Sequence, residues 1–362
     1  MNMQNRTEVG LLKSTIEQIV PGNAEARAKA RARLEQLTMP YWALGRLMDL
    51  SEDLAAMTGS MNPAVERKVV VTMAGDHGVT AEGVSKYPPE VTPQMVYNIV
   101  AGGAGVNAIS RQAGASVVVV DMGVATDLSE LAAAGKIISK RVGAGTANMA
   151  VGPAMTREDA IRSIEAGIEV ALELGKTTDV FGTGEMGIGN TTPSSAIVAT
   201  LSGSPVADVT GRGTGIDDEQ FQQKVAVIEK CLAVNKPDKS DAIDVLAKVG
   251  GFEIGGIAGL ILGAASMKKP VVVDGFISTA GALIAQALCP SSADYMIAAH
   301  NSVEQGHRIA LGMLDKKPLL DLGFRLGEGT GAALAMNMVE AAVRVLTDVA
   351  TFEEAMVSEA KE

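Results

Sequence analysis

Five short runs of β-branched and aliphatic residues, separated by stretches of helical periodicity, limit what this sequence can fold into. They are "KVVVTMAGDHG" from Lys68, "SVVVVDMG" from Ser116, "TTDVFGTGE" from Thr177, "KPVVVDGF" from Lys269 and "ADYMIAAH" from Ala293. Between most of them the apolar spacing is near 3.6, over 92–112, 156–174, 192–202, 217–234 and 278–288. Continuous Val/Ile runs alternating with helices indicate a mostly parallel sheet with helices on both faces. Right-handed crossovers put the C-terminal ends of all its strands on one edge. Each run ends in polar residues: Asp76 and His77, Asp121, Glu185, Asp274, His300. That edge is where open α/β sheets bind ligands. The expectation is a doubly wound α/β domain over 63–325. A helical segment over 1–62 and a C-terminal loop and helices over 326–362 together make a smaller helical domain. The first segment reads as helical from the spacing of Ile16, Ile19 and Val20, the Ala/Arg-rich 24–36, and Trp42 to Met57.

Composition narrows the class. Aromatics are only 3% of a chain that is 47% apolar, so Ala, Val, Leu, Ile and 18 Met must fill the core. The net charge of −11 argues against nucleic acid or an anionic membrane as a main partner, while leaving a small anion possible. The longest apolar run, near 255–267, is too short and glycine-rich to span a bilayer. The N-terminus "MNMQNRTEVG" lacks a signal-peptide layout, so the expectation is a soluble, cytoplasmic protein. Cys231 and Cys289 fit no disulfide framework or zinc pattern and read as reduced and structural.

Two glycine-dense stretches carry the candidate chemistry. In "FGTGEMGIGNTTPSSAI" (181–197), Asn190 and Thr191 suit a helix cap and Pro193 its first turn. Free amides at such a start bind phosphate, and Gly187 and Gly189 let the backbone curl around its oxygens. Gly182, Gly184 and Gly187 also match a dinucleotide fingerprint literally, but in that motif the helix starts within the glycines. No GK[ST] follows, which excludes a P-loop. Lys224 and Arg212 are candidates to add charge to a phosphate; the plainer reading of each is a solvated surface cation. His77, His300 and His307 match no zinc spacing and read as satisfied structural histidines.

The second stretch, "DLGFRLGEGTGAALAM" (321–336), isolates Glu328 among glycines. Glu185 and Glu328 each read as sitting in a glycine-flanked turn before a helix, where an acid suits the dipole, and for Glu328 that placement favours the ionised form. As a pair beside a phosphate cradle they suggest a sugar-phosphate site, one acid on hydroxyls and one on chemistry. A two-carboxylate glycosidase is the rival.

Six longer segments resemble one family: "AGDHGV" (74–79), "EGVSKYPPEVTPQMV" (82–96), "GTGEMGIGNTT" (182–192), "TGRGTGID" (210–217), "HNSVEQGHR" (300–308) and "DLGFRLGEGTGAAL" (321–334). The chain is similar along nearly its whole length to the nicotinate-nucleotide:5,6-dimethylbenzimidazole phosphoribosyltransferases. The resemblance implies a Rossmann-like α/β domain, a homodimer whose active site borrows from the neighbouring subunit, and neither metal nor cofactor. It implies transfer of phosphoribose from nicotinate mononucleotide to 5,6-dimethylbenzimidazole, with Glu328 as general base. Ribose and phosphate would lie on Glu185, Gly184, Gly187, Ile188, Gly189, Asn190 and Thr191, with Lys224 on the phosphate and Arg212 nearby. Ser85, Tyr87, Gln94 and Leu326 would line the benzimidazole pocket. The alternatives are an NAD-dependent dehydrogenase using the 182–187 glycines and a non-catalytic nucleotide-binding sensor.

Overall fold

The structure is a computed structural model and describes residues 10–213, 215 and 217–358; the N-terminal residues 1–9 read above lie outside it. Its strands are β1 (Lys68–Gly75), β2 (Ala115–Gly123), β3 (Ile138–Ser139), β4 (Val180–Met186), β5 (Val271–Val273) and β6 (Met296–Ala298). They form one sheet in the order β3-β2-β1-β4-β5-β6, every pair parallel. The chain winds outward through β2 and β3, then returns beside β1 and winds the other way. The winding therefore reverses between β1 and β4, where such sheets leave a crevice. All of β1 is buried, as a central strand covered on both faces must be.

The five expected strands are present. The helices Arg157–Leu174, Thr191–Ser202, Asp218–Asn235 and Phe276–Leu288 lie within two residues of their expected bounds. Two differences matter. The strand β3 is too short to leave a run in the sequence. The stretch 92–112 is two helices, Val91–Val100 and Gly105–Gln112, broken where Gly102 takes a positive φ of 82°. The break gives the second helix an N-terminus of its own, aimed at the sheet's C-terminal edge.

The apolar run at 255–267 belongs to the helix Phe252–Ser266, which is buried on all sides between the sheet and the helix Arg157–Leu174. A Cβ at Gly259 would lie 1.9 Å from the carbonyl oxygen of Ile164, so only glycine permits this approach. The long helix Thr330–Asp348 covers the opposite face of β4 and β5. Its far end shares a second, smaller core with Leu34, Leu37, Met48 and Ala55 from the N-terminal helices Ala24–Leu34 and Arg46–Thr58 and the segment between them. No helix among the described residues is long and apolar enough to cross a membrane.

Candidate active site

A cavity of about 520 Å³ opens at the C-terminal ends of β4, β5 and β6. Its wall is built from residues 185–191 at the end of β4 and beyond it, 275–278 after β5, His300 after β6, and 325–328. Val84, Ser85, Tyr87, Val91 and Met95, from the segment after β1, close one side. The size suits a small organic ligand.

One end of the cavity is organised for an anion. The helices Thr191–Ser202 and Phe276–Leu288 both begin at its wall, so two sets of first-turn amides and two dipoles face it. Ser278, in the first turn of the second helix, is buried and its hydroxyl has no protein partner. Lys224 is not a solvated cation. It is 1% exposed and its Nζ donates to Thr191 Oγ1 at 2.7 Å, just behind the helix start. Burial lowers its pKa to about 8, against the opposing pull of Glu304. Glu304, also buried, accepts the N–H of Gly213.

The other end holds the two glutamates. Glu185 is the penultimate residue of β4, not part of the turn. The glycine turn begins after it, and the strand's pleat points its side chain at the cavity. Its Oε2 accepts the Asn190 side-chain amide and its Oε1 the backbone N–H of Glu328 at 3.2 Å. Burial, with Asp274 and Glu253 nearby, outweighs these donors and raises its pKa to about 8. At neutral pH this environment favours the protonated acid.

Glu328 sits in a run of three left-handed residues, with φ of 82° at Gly327, 62° at Glu328 and 104° at Gly329. A side chain rarely adopts this conformation, and the surroundings hold it there. Its carbonyl oxygen accepts Thr72 Oγ1 at 3.0 Å, and its Oε2 accepts the N–H of Val106 at 3.1 Å, at the start of the helix Gly105–Gln112. The expectation that helix starts keep Glu328 ionised meets a stronger effect. Burial comes first and raises its pKa, Val106 and Gly105 pull it down, and Asp274 pushes it up.

Of the residues anticipated from sequence, Glu185, Gly187, Ile188, Gly189, Asn190, Thr191 and Glu328 share this wall with Ser85, Tyr87 and Leu326. Lys224 reaches it through Thr191. Gly184 lies beneath it, inside β4, where a Cβ would fall 2.2 Å from the carbonyl oxygen of Glu328. Gly182, also inside β4, faces Ala332 and Met336. Gly182 and Gly184 thus serve packing of the Glu328 turn and its helix while Gly187 stays on the wall, and the helix after β4 starts at Thr191. Gln94 is exposed, its neighbours Val91 and Met95 taking the wall positions. Arg212 pairs with Asp218, lies 5.4 Å over the Phe221 ring and lines an adjoining groove.

Two histidines are satisfied: His77 Nε2 meets Glu253 Oε1 at 2.8 Å, and His307 bonds Thr279 Oγ1 at 2.9 Å and the N–H of Ser302 at 3.0 Å. His300 departs from the expectation. It lines the cavity, and its buried Nδ1 has no protein partner. Sequence reading missed Ser278, His300 and Glu304 in the wall; only the position of His300 at a strand's C-terminal end hinted at one. Cys231 and Cys289 are buried free thiols.

A family model described as "Phosphoribosyltransferase" matches residues 19–357. A relative from Syntrophotalea carbinolica, named nicotinate-nucleotide–dimethylbenzimidazole phosphoribosyltransferase, is 63% identical over 98% of this chain and 100% of its own length. One of the same name from Desulfotalea psychrophila is 57% identical over 97% of this chain and 99% of its own. A crystal structure of CobT from Thermus thermophilus superimposes with a TM-score of 0.89 at 44% identity, covering 93% of this chain and all of that one.

Proposed function

Because the chain belongs to the nicotinate-nucleotide–dimethylbenzimidazole phosphoribosyltransferase family, we propose that Glu328 is the general base of a phosphoribosyl transfer run in this cavity. The transfer moves 5-phosphoribose from nicotinate mononucleotide to 5,6-dimethylbenzimidazole, giving α-ribazole 5′-phosphate and nicotinate. The observation that carries the assignment is the held Glu328 carboxylate at one end of a cavity whose other end is lined by helix starts.

The chemistry asks for one base and no acid. The pyridine nitrogen bonded to C1′ is cationic, so that bond breaks with its electron pair going to the departing ring. The unprotonated nitrogen of the benzimidazole forms the new bond to C1′, and positive charge spreads over its ring. The opposite N–H becomes acidic and passes its proton to Glu328. Such transfers typically supply a roughly 10²–10⁴-fold gain in rate. Attack opposite the leaving ring inverts C1′, turning a β-nucleotide into an α-riboside. Alignment of the two heterocycles across the sugar supplies a further part of the acceleration.

In this reading the phosphate lies on the amides from Gly187 to Thr191, with Lys224 behind them, and protonated Glu185 hydrogen-bonds the ribose. The benzimidazole lies against Ser85, Tyr87 and Leu326. Arg212 and Gln94, off the wall, are given no contact. The enzyme is a cytoplasmic homodimer in which the smaller helical domain built on the helices Ala24–Leu34 and Arg46–Thr58 borders the neighbour's cavity mouth. Exposed Tyr41 and Leu44 on that domain, and exposed Tyr87 and Leu326 at the mouth, suit such a contact. Incubating the protein with both substrates and separating the products tests the function. α-Ribazole phosphate and free nicotinate should appear in equal amounts, and a Glu328→Gln variant that keeps full turnover would rule out the base role. A dehydrogenase or a sensor would form neither product.

A further inference from the structure

We propose that Asp274, directly after β5, is a positioning residue for Glu328: it caps a helix that cannot cap itself and so fixes the turn that aims the base. The inference rests on the reading of Glu328 as base.

The helix Thr330–Asp348 begins at Gly329, which has no side chain to accept the first amides. A helix start leaves four such amides without partners inside the helix. Asp274 meets them from another element. Its Oδ2 accepts the N–H of Gly329 at 3.2 Å and its Oδ1 that of Ala332 at 2.9 Å, with Gly331 donating as well. The main chain that carries the carboxylate is itself held, because the backbone N–H of Asp274 donates to Thr183 Oγ1 at 3.0 Å. His300 Nε2 stands 3.7 Å from Oδ1, too far for a hydrogen bond. The work of Asp274 is therefore on the glycine-bounded turn.

That turn is the strained one. Gly329, whose amide Asp274 holds, is the last of the three left-handed residues, and Glu328 directly precedes it. The Glu328 peptide is gripped from three strands: by Thr72 of β1 through its carbonyl, by Glu185 of β4 through its N–H, and by Asp274 after β5 through the next amide. Release of the third grip lets the turn relax toward ordinary backbone angles and swings the carboxylate off the line of the N–H it must receive.

The test is a double-mutant cycle in turnover. Asp274→Asn keeps one acceptor and turns the other into a donor facing an amide, and is expected to lower kcat by about 10- to 100-fold. The dissociation constant of nicotinate mononucleotide should stay within about 3-fold, since its phosphate binds elsewhere. In a Glu328→Gln background the same change should cost no more than about 2-fold, because the group it positions is gone. Equal losses in both backgrounds, a loss confined to nucleotide binding, or unchanged kcat would each overturn the inference while leaving Glu328 as base. Full turnover by Glu328→Gln alone would instead sink the base reading and this inference with it. Should Asp274→Asn fail to fold, hydrogen exchange on the wild-type protein decides. The amides of Gly329 and Ala332 should be protected, and free exchange at both would overturn the proposal.

Discussion

Replacing Glu185 with glutamine isolates a pH effect whose size follows from the structure. The carboxyl is buried among other acids, and its pKa stands at about 8 against an ordinary 4.5. Burial is the largest cause, with Asp274 and Glu253 adding to it. Between those two values the folded protein holds a proton that the unfolded chain has released. Stability from this group is therefore fully present below 4.5 and is lost as pH rises through about 8. The gap is about 3.5 pH units at ~1.36 kcal/mol each, so the loss is on the order of 5 kcal/mol. Glutamine mimics the protonated acid in shape and does not titrate.

Urea unfolding of both proteins from about pH 5 to about pH 9, which covers most of that window, reads the effect. The difference in unfolding free energy, variant minus wild type, should climb by several kcal/mol with pH, since the other buried groups are common to both. At neutral pH the variant should keep turnover within about 10-fold, because the Asn190 side chain can turn its amide over to accept from the new NH2 while the remaining oxygen still accepts the Glu328 N–H. Parallel stability curves for the two proteins would refute the reasoning, and so would abolished turnover at pH 7 in a folded Glu185→Gln protein.

Three further outcomes follow from the same geometry. The acid limb of kcat/KM should lie above 4.5, because burial raises Glu328 and a base loses activity as pH falls through its pKa; a limb at or below that value would contradict the environment described. Lys224→Met should weaken nicotinate mononucleotide binding by about 10- to 100-fold at pH 7. In wild type, affinity should fall as pH rises through about 8, where the lysine loses its proton, and calorimetry at pH 7 and pH 9 would show that step missing from the variant. Gly184→Ala, which puts a Cβ 2.2 Å from the Glu328 carbonyl oxygen, should destabilise the fold by about 1–3 kcal/mol and depress kcat, read by thermal unfolding and product formation.

The parts of this fold that were legible in the sequence are those a residue decides with its immediate neighbours. A parallel strand covered on both faces favours continuous apolar side chains, so β1 and β2 are marked by the Val runs 69–71 and 117–120. The helix start at Thr191 could be placed from Asn190 and Pro193, because caps and first-turn prolines act locally. What the sequence left ambiguous depends on which element arrives from elsewhere. Lys224 has the same helical spacing whether water or Thr191 lies against it, and only the packed fold makes it a buried cation. Gly182, Gly184 and Gly187 spell a dinucleotide fingerprint, yet the backbone that Gly184 admits is that of the Glu328 turn, some 140 residues on. A glycine pattern records that something comes close, never what.

The same logic explains why Asp274 and Glu328 had such unequal visibility. Glu328 stood out because three left-handed residues in a row demand glycines on both sides, and glycines can be counted. Asp274 supports that turn from a different strand, and its only local trace is that a Val run ends in it, as other runs end in Asp76 and Asp121. Those two acids bond the amides of Ala125 and Val124 and tie loops together, away from the cavity wall. All three lie at the C-terminal edge of the sheet, Asp121 near the end of β2 and the other two directly after β1 and β5, and all three accept backbone amides. What separates them is the peptide each one holds: for Asp274 it is the peptide next to the base, and that neighbour is set by the winding of the sheet.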